Sequence, residues 1–236
     1  MAKVLICPDV HGRTFWHKAE ELINDVDQVV FLGDYLDPYG HEGITFDMAI
    51  EEFKQILEFK DKYWNKVILL IGNHDAHYIS TDFMDCSRLN YSKRQELHEL
   101  YTKHINKFSL VFKYEDTWLF SHAGVYTDWL NRNNLKIDDL LDFKTFLTNH
   151  FQELEDLSFY RGGYNATGSC VWADIRESLR YEVLPGYNHI VGHTQLNSEP
   201  YQSEFISCLD VRRCFILDTE TDEINEVAEE IPENFS

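Results

Sequence analysis

Paired cysteines are missing from this sequence, and their absence excludes several classes of protein. The five cysteines are odd in number, are scattered along 236 residues and form no Cys-x-x-Cys pair. This excludes a regular disulfide framework and a cysteine-based structural zinc site. The pattern is typical of reduced thiols, so we expect a cytoplasmic protein.

Long apolar runs are also missing. The first apolar run, residues 4–7, is shorter than the roughly 7–15 apolar residues of a secretory signal. No later run approaches the roughly 20 apolar residues that a membrane-spanning helix needs. We therefore expect neither a signal peptide nor a membrane partner.

Basic charge is scarce, with 21 Lys and Arg against 41 Asp and Glu and a net charge of -20. A chain of this charge is repelled by polyanions, so bulk nucleic acid binding is not expected. The glycine-rich residues 161–169 lack the spacing of a nucleotide-binding glycine motif. Neither repeats nor linkers divide the chain, so we predict one domain over residues 1–236, with a frayed acidic end from about residue 228.

The chain does contain five short polar clusters, and each follows an apolar segment predicted to be a buried strand. The clusters are Pro-Asp-Val-His-Gly at 8–12, Gly-Asp-Tyr-Leu-Asp at 33–37, Gly-Asn-His-Asp at 72–75, Ser-His-Ala-Gly at 121–124 and Gly-His-Thr-Gln at 192–195. Helical segments between the first three strands predict parallel pairing with crossover helices. In such sheets, ligands bind at the carboxyl edge of the strands, where these clusters lie.

The clusters supply donors that suit divalent cations. They are Asp9, His11, Asp34, Asn73, His122 and His193. Carboxylate, imidazole and amide oxygen are typical ligands of Mn²⁺, Fe²⁺ or Zn²⁺. Three of them would suffice for one ion, and Asp9 with His11 alone would equally suit a turn with a capping acid. Six fit two ions about 3.5–4 Å apart that share a carboxylate, which we predict to be Asp34.

Two such ions would provide a bridging hydroxide that attacks phosphorus in line with the leaving oxygen. That oxygen needs a proton. We predict His74, held by Asp75, as the general acid, because an imidazole fixed by a carboxylate is the usual arrangement for this role. The alternative is that His74 is only a spacer in the loop of the ligand Asn73.

Taken together and in this order, the motifs resemble those of the calcineurin-like metallophosphoesterase superfamily over nearly the whole chain. Gly-Asp-Tyr-Leu-Asp and Ser-His-Ala-Gly are similar to its phosphoprotein-phosphatase-like branch, as is Val-Trp-Ala-Asp at 171–174. The resemblance implies an α+β fold, a four-layer α/β/β/α sandwich of two mixed sheets flanked by helices. It also implies that Asp9, His11 and Asp34 hold the first metal. The second metal would be held by Asp34, Asn73, His122 and His193.

Two positions depart from the pattern that the resemblance implies. Gln195 stands where many phosphodiesterase members have a second histidine, which favours monoesters or anhydrides over cyclic diesters. Pro38 stands where the branch usually has a phosphate-binding arginine. Candidates to replace it are Arg13, Arg161 and Arg176, because a guanidinium grips two phosphate oxygens, although each could be an ordinary surface arginine.

The function expected from these residues is hydrolysis of phosphomonoesters, on a phosphoprotein or a small phosphorylated metabolite, with two divalent cations. We expect Mn²⁺ first, with Fe or Zn as alternatives. A second hypothesis is hydrolysis of dinucleoside polyphosphates or other phosphoanhydrides, since the same hydroxide would serve. A third is a non-catalytic scaffold that keeps the fold for protein binding, although a scaffold has no need for a complete set of ligands.

Overall fold

The computed structural model describes residues 2–228, and in this range the strands form two sheets. The strands are β1 (Lys3–Cys7), β2 (Gln28–Phe31), β3 (Val67–Leu70), β4 (Phe108–Ser109), β5 (Val111–Tyr114), β6 (Trp118–Ser121), β7 (Asn188–Val191), β8 (Tyr201–Gln202), β9 (Ile206–Cys208), β10 (Phe215–Asp218) and β11 (Glu223–Glu226). The α-helices are α1 (Lys18–Leu22), α2 (Phe46–Lys62), α3 (Asn73–Ile79), α4 (Arg94–His104), α5 (Thr127–Arg132), α6 (Ile137–Leu141) and α7 (Phe143–Asn149). Short 3-10 segments occupy Phe15–His17, Gly40–Glu42, Ile105–Lys107, Phe151–Glu155, Phe159–Arg161 and Ile175–Leu179.

Both sheets are mixed. The first has the order β11-β10-β1-β2-β3-β4, and the second has the order β5-β6-β7-β9-β8. In the first sheet β1, β2, β3 and β4 are parallel, while β10 and β11 are antiparallel additions at one side. In the second, β6, β7 and β9 are parallel between two antiparallel edge strands. The carboxyl ends of the central strands therefore point to a shared edge in each sheet.

Successive side chains along a strand point to opposite faces of its sheet, so each sheet packs on two sides. Val4 and Ile6 of β1 pack in one cluster with Phe120 of β6 and Ile190 of β7, which joins the two sheets face to face. Leu5 of the same strand points the other way, into the cluster formed with the helices. The two mixed sheets flanked by helices that the sequence predicts are therefore confirmed.

Thr45 caps the helix that follows β2. Its side chain accepts a hydrogen bond from the Met48 amide at 3.2 Å, which satisfies one of the free donors at the start of α2. The buried face of this helix carries Ala49, Phe53 and Ile56, which pack in the cluster that covers the first sheet. The helix thereby covers the first sheet from outside.

Some local expectations differ from the structure. Gly-Asn-His-Asp does not form a loop, because α3 begins at Asn73 directly after β3. The apolar segments 205–209, 213–217 and 224–227 are typical of a closing antiparallel meander in the sequence, but β9 joins the second sheet, whereas β10 and β11 complete the first. The acidic segment after residue 228, expected to be frayed, lies outside the described residues.

The five cysteines are buried and are free thiols. Within residues 2–228, none of the helices combines the length and apolarity needed to cross a membrane.

Candidate metal centre

The segments that follow β1, β2, β3, β6 and β7 bring the six predicted donors to one place. Asp9, His11 and Asp34 form one group, and Asp34, His122 and His193 form a second, with the potential ligand atoms of each group within 4.8 Å of one another. Asp34 belongs to both groups. Asn73 joins the second, since its Oδ1 lies 3.0 Å from His122 Nε2.

The two carboxylate oxygens of Asp34 face different imidazoles. Oδ2 lies 3.5 Å from His11 Nε2, while Oδ1 lies 3.6 Å from His122 Nε2. The side chain is almost fully buried, so water competes little for these oxygens. A carboxylate in this position can contribute one oxygen to each of two cations.

Backbone carbonyls fix the orientation of two of the imidazoles. His11 Nδ1 lies 2.7 Å from the Leu36 carbonyl, and His122 Nδ1 lies 2.8 Å from the Leu32 carbonyl. A carbonyl only accepts hydrogen bonds, so each Nδ1 carries the proton and each Nε2 presents a lone pair to the centre. Such outer contacts are the usual way in which a metal-binding histidine is held.

The resulting contacts fit cations better than hydrogen bonds. His122 Nε2, with its lone pair, lies 3.0 Å from Asn73 Oδ1 and 3.1 Å from His193 Nδ1. The Asn73 amide nitrogen contacts Cys86 Sγ, which directs the acceptor oxygen toward the imidazole. The lone pair of His122 Nε2 and the Asn73 oxygen are two acceptors in contact, and a divalent cation between them would satisfy both.

Burial adds an electrostatic argument. Burial raises the pKa of the Asp9 and Asp34 carboxyls well above their usual range, and the neighbouring carboxylates of Asp210 and Asp75 raise them further. A buried carboxylate without a counter-charge is costly, and bound dications would offset that cost. By residue type, orientation and charge, the donor set fits two divalent cations.

Two glycines of the sequence motifs leave room for the carboxylates. A Cβ added at Gly72 would collide with the Asp34 carboxylate, and one added at Gly192 would collide with the Asp9 carboxylate. His193, next to the second glycine, donates its amide to Asp9 at 3.0 Å. The glycines are therefore required by the close approach of backbone and ligand.

Backbone strain also concentrates here. His11, Asp34, Asp37 and His193 have positive φ angles of 46°, 54°, 58° and 64°. Each such residue costs about 1–3 kcal/mol, and such strain clusters at functional sites. The loops are thus held in a demanding geometry by the surrounding fold.

The proposed acid, His74, lies at the same edge, with its ring 5.2 Å from that of His11. Its carboxylate partner differs from the one predicted. His74 Nδ1 bonds Asp37 Oδ2 at 2.7 Å, and that oxygen also lies 2.9 Å from His77 Nε2. Tyr78 donates its hydroxyl to the other oxygen at 2.6 Å. The sequence-based pairing of His74 with Asp75 is therefore corrected to His74 with Asp37.

Asp75 instead anchors backbone. Its carboxylate accepts the amides of Asp34 and Gly72, both at 2.7 Å, and that of Tyr35 at 3.2 Å. It also accepts the Tyr101 hydroxyl at 2.5 Å. Asp75 thus positions the loop that carries Asp34, and its carboxylate is occupied by these donors rather than by His74.

The three predicted phosphate-binding arginines are engaged by carboxylates. Arg13 makes a bidentate pair with Glu42 at 2.8 and 3.0 Å and is almost fully buried. Arg161 and Arg176 both contact Asp174, at 3.0 and 2.7 Å. Arg176 is additionally more than half exposed at the surface.

Sequence reasoning missed three residues near the centre. Asp37 is the second aspartate of its motif, and its spacing from Asp34 was a usable signal. Asp210 follows β9; it is buried, and burial raises its pKa to about 6, with Arg13 opposing the shift. Arg88 lies in a segment without periodicity, and its Nη2 is 3.3 Å from His74 Nε2. Nothing in the local sequence marked the last two.

A family model described as calcineurin-like phosphoesterase matches residues 2–197. No curated protein matches the sequence. The fold resembles a cold-active protein-tyrosine phosphatase of a psychrophilic Shewanella species, with TM-score 0.61, 14% identity, and coverage of 97% of this chain and 81% of that one. It also resembles a protein serine/threonine phosphatase from Saccharomyces cerevisiae with similarity to human phosphatase PP5, with TM-score 0.60, 14% identity, and coverage of 98% and 82%. At these identities the likeness is one of fold.

Proposed function

Since the chain belongs to the calcineurin-like phosphoesterase family and is thereby a metal-dependent phosphoesterase, we propose that it hydrolyses phosphomonoesters with two divalent cations. Mn²⁺ is the first choice of metal, with Fe and Zn as alternatives, because the donors are carboxylate, imidazole and amide oxygen. The observation that carries the proposal is the position of Asp34, whose two oxygens face different groups of donors.

When bound, the two cations would lower the pKa of a water molecule toward neutrality and neutralise phosphate oxygens. The chain's part is to hold the donors in place before substrate arrives. Asp9, His11 and Asp34 would hold one ion, and Asp34, Asn73, His122 and His193 the other. Because carbonyl contacts fix the imidazoles and Asp75 fixes the Asp34 backbone, little reorganisation is needed on binding.

His74 supplies the proton for the leaving oxygen in this proposal. Its Nδ1 is held by Asp37, so Nε2 is the atom that exchanges a proton with substrate. The carboxylate of Asp37 stabilises the imidazolium, because it accepts a charge-assisted hydrogen bond from His74 Nδ1 inside a buried site. A positioned acid of this kind contributes about 10²–10⁴ in rate.

The preference for monoesters has one local support. Gln195, in place of a second histidine, has an exposed side chain, so it does not complete the first group of donors. The substrate is then a phosphoprotein or a small phosphorylated metabolite. Hydrolysis of dinucleoside polyphosphates would use the same donors, and mass spectrometry of the products from a substrate panel separates the two activities.

The direct experiment uses purified protein with Mn²⁺ and p-nitrophenyl phosphate. We expect hydrolysis that is lost on chelation and restored by metal, and a lower turnover for His74→Ala. His150→Ala is a matched control, because this partly exposed histidine follows α7, where its side chain contacts Glu153 and the ring of Phe146 and none of the predicted metal ligands. No hydrolysis with any divalent cation, together with less than one bound equivalent, would favour a non-catalytic scaffold instead.

We also propose that the protein acts in the cytoplasm as one domain. Five buried thiols without disulfides support a reducing compartment. Fractionation of the source cells with an antibody to the chain tests the location, and a single cooperative unfolding transition tests the domain.

A further inference from the structure

Arg88 lies on a short loop that is tied to the site at both sides. The Cys86 amide bonds His77 Nδ1 at 3.2 Å, and the Cys86 thiol donates to the Asn73 carbonyl at 3.2 Å. Two residues beyond Arg88, the Asn90 amide bonds the Tyr78 hydroxyl at 3.1 Å. These anchors contact α3, which carries the predicted metal ligand and acid, so the loop is fixed relative to the candidate centre.

The guanidinium of Arg88 is held in one orientation. Its Nε donates to the Asp37 carbonyl at 2.9 Å, and its plane lies over the ring of Tyr39, 3.8 Å from the ring centre. Its Nη2 lies 3.3 Å from His74 Nε2, the atom proposed to exchange a proton with substrate. The backbone of Arg88 has a positive φ of 66°, so the fold imposes this placement at a cost.

Charge distinguishes Arg88 from the arginines that the sequence suggested. Arg13, Arg161 and Arg176 each contact a carboxylate within 3.0 Å. Across residues 2–228, no carboxylate lies within ion-pair distance of the Arg88 guanidinium, although the chain has 41 acidic residues. It is thus a preorganised cation beside the candidate centre whose charge is left for an anion.

We propose that Arg88 binds the phosphoryl group of the substrate and the phosphate product. This proposal rests on the phosphatase function proposed above and names the residue that grips the anion. In the structure Nη2 donates to His74 Nε2, which must therefore present a lone pair there. A phosphate oxygen would take the place of His74 Nε2 as the acceptor for Nη2.

The test is the affinity of the metal-loaded protein for inorganic phosphate, measured by titration calorimetry. Arg88→Ala should raise Kd about 10- to 100-fold, because it removes charge-assisted hydrogen bonds to an anion. The Kd of Arg88→Lys should lie between those of the wild-type protein and Arg88→Ala, because lysine keeps the charge and loses the planar pair of donors. Arg180→Ala removes the same charge from an exposed position and should leave Kd unchanged.

Kinetics give an independent readout. Phosphate is anionic both before and during reaction, so Arg88→Ala should raise KM about 10- to 100-fold with a smaller change in kcat. A purely structural role would instead reduce metal content or kcat and leave the phosphate Kd unchanged. If the wild-type protein hydrolyses p-nitrophenyl phosphate while Arg88→Ala retains its KM and phosphate Kd, the Arg88 proposal is overturned and the phosphatase function stands. If the wild-type protein neither hydrolyses ester nor binds phosphate, both fall.

Discussion

Replacing Asp37 by asparagine separates the acid partner seen in the structure from the one suggested by the sequence. Asp37 Oδ2 contacts both His74 and His77, at 2.7 and 2.9 Å, and Oδ1 accepts the Tyr78 hydroxyl. Asparagine keeps the shape but loses the charge that stabilises a protonated His74. A charged hydrogen bond exceeds a neutral one by about 1–1.5 kcal/mol. The attraction between charges about 4 Å apart adds up to about 4 kcal/mol near a protein surface.

We therefore expect Asp37→Asn to lose about 2–4 kcal/mol of transition-state stabilisation, or about 30- to 1000-fold in kcat. The loss should depend on the leaving group. A p-nitrophenolate departs with little protonation, whereas an alkoxide needs the acid, so an alkyl phosphate should suffer more than p-nitrophenyl phosphate. Steady-state kinetics on both substrates, for Asp37→Asn and His74→Ala, measure this dependence.

Asp75→Asn is the comparison. The Asp75 carboxylate accepts hydrogen bonds from the amides of Asp34, Tyr35 and Gly72 and from the Tyr101 hydroxyl. In either orientation of the asparagine side chain, its amide nitrogen would therefore face one of these donors. We expect a loss of about 1–3 kcal/mol in stability and a rate loss that does not vary with the leaving group. If Asp75→Asn shows the leaving-group dependence and Asp37→Asn does not, the assigned pair is refuted.

Three further predictions follow from the same structure. Gly192→Ala should abolish stoichiometric metal binding by forcing the Asp9 carboxylate aside. Gly40→Ala, where a Cβ meets nothing within 4 Å, should retain it, and elemental analysis decides. Chelation should lower Tm reversibly, because saturating a site at 100 times Kd stabilises the folded state by about 2.7 kcal/mol. Burial lowers the pKa of His189 to about 4 from 6.5, so the unfolded chain binds this proton first as pH falls. Stability should therefore decline below pH 6.5, by about 2 kcal/mol near pH 5, and His189→Gln should remove that part of the decline in denaturant titrations.

The donors were visible in the sequence because each follows a short apolar strand. That signal is local: an apolar run that ends in a glycine and a polar side chain marks a strand and its edge. The order of the clusters then carried the family resemblance, and the match of the family model to residues 2–197 confirms it.

The carboxylate partner of His74 could not be predicted from residues that neighbour it in the sequence. Asp75 is its neighbour in the chain, but α3 begins at Asn73 and turns the two side chains in different directions. Asp37 reaches His74 from the loop after another strand, across 37 positions of sequence. Only the parallel pairing of β2 with β3 brings those loops together.

The sequence predicted neither the position of Arg88 nor the sheets that the last three strands join, for related reasons. The segment after α3 has no periodicity, and its placement depends on side-chain contacts such as that of Cys86 with His77. The sequence of a short apolar strand does not indicate which sheet the strand joins. Only the tertiary packing shows that β9 and β10 belong to different sheets.

The central claim is that six donors hold two cations with Asp34 shared between them. Elemental analysis after reconstitution with Mn²⁺ tests it most directly, on the wild-type protein, Asp34→Asn and His11→Ala. We expect two equivalents for the wild type, one retained by His11→Ala, and both sites weakened in Asp34→Asn. One equivalent or fewer in the wild type, or an Asp34→Asn variant that still binds two ions tightly, would contradict it.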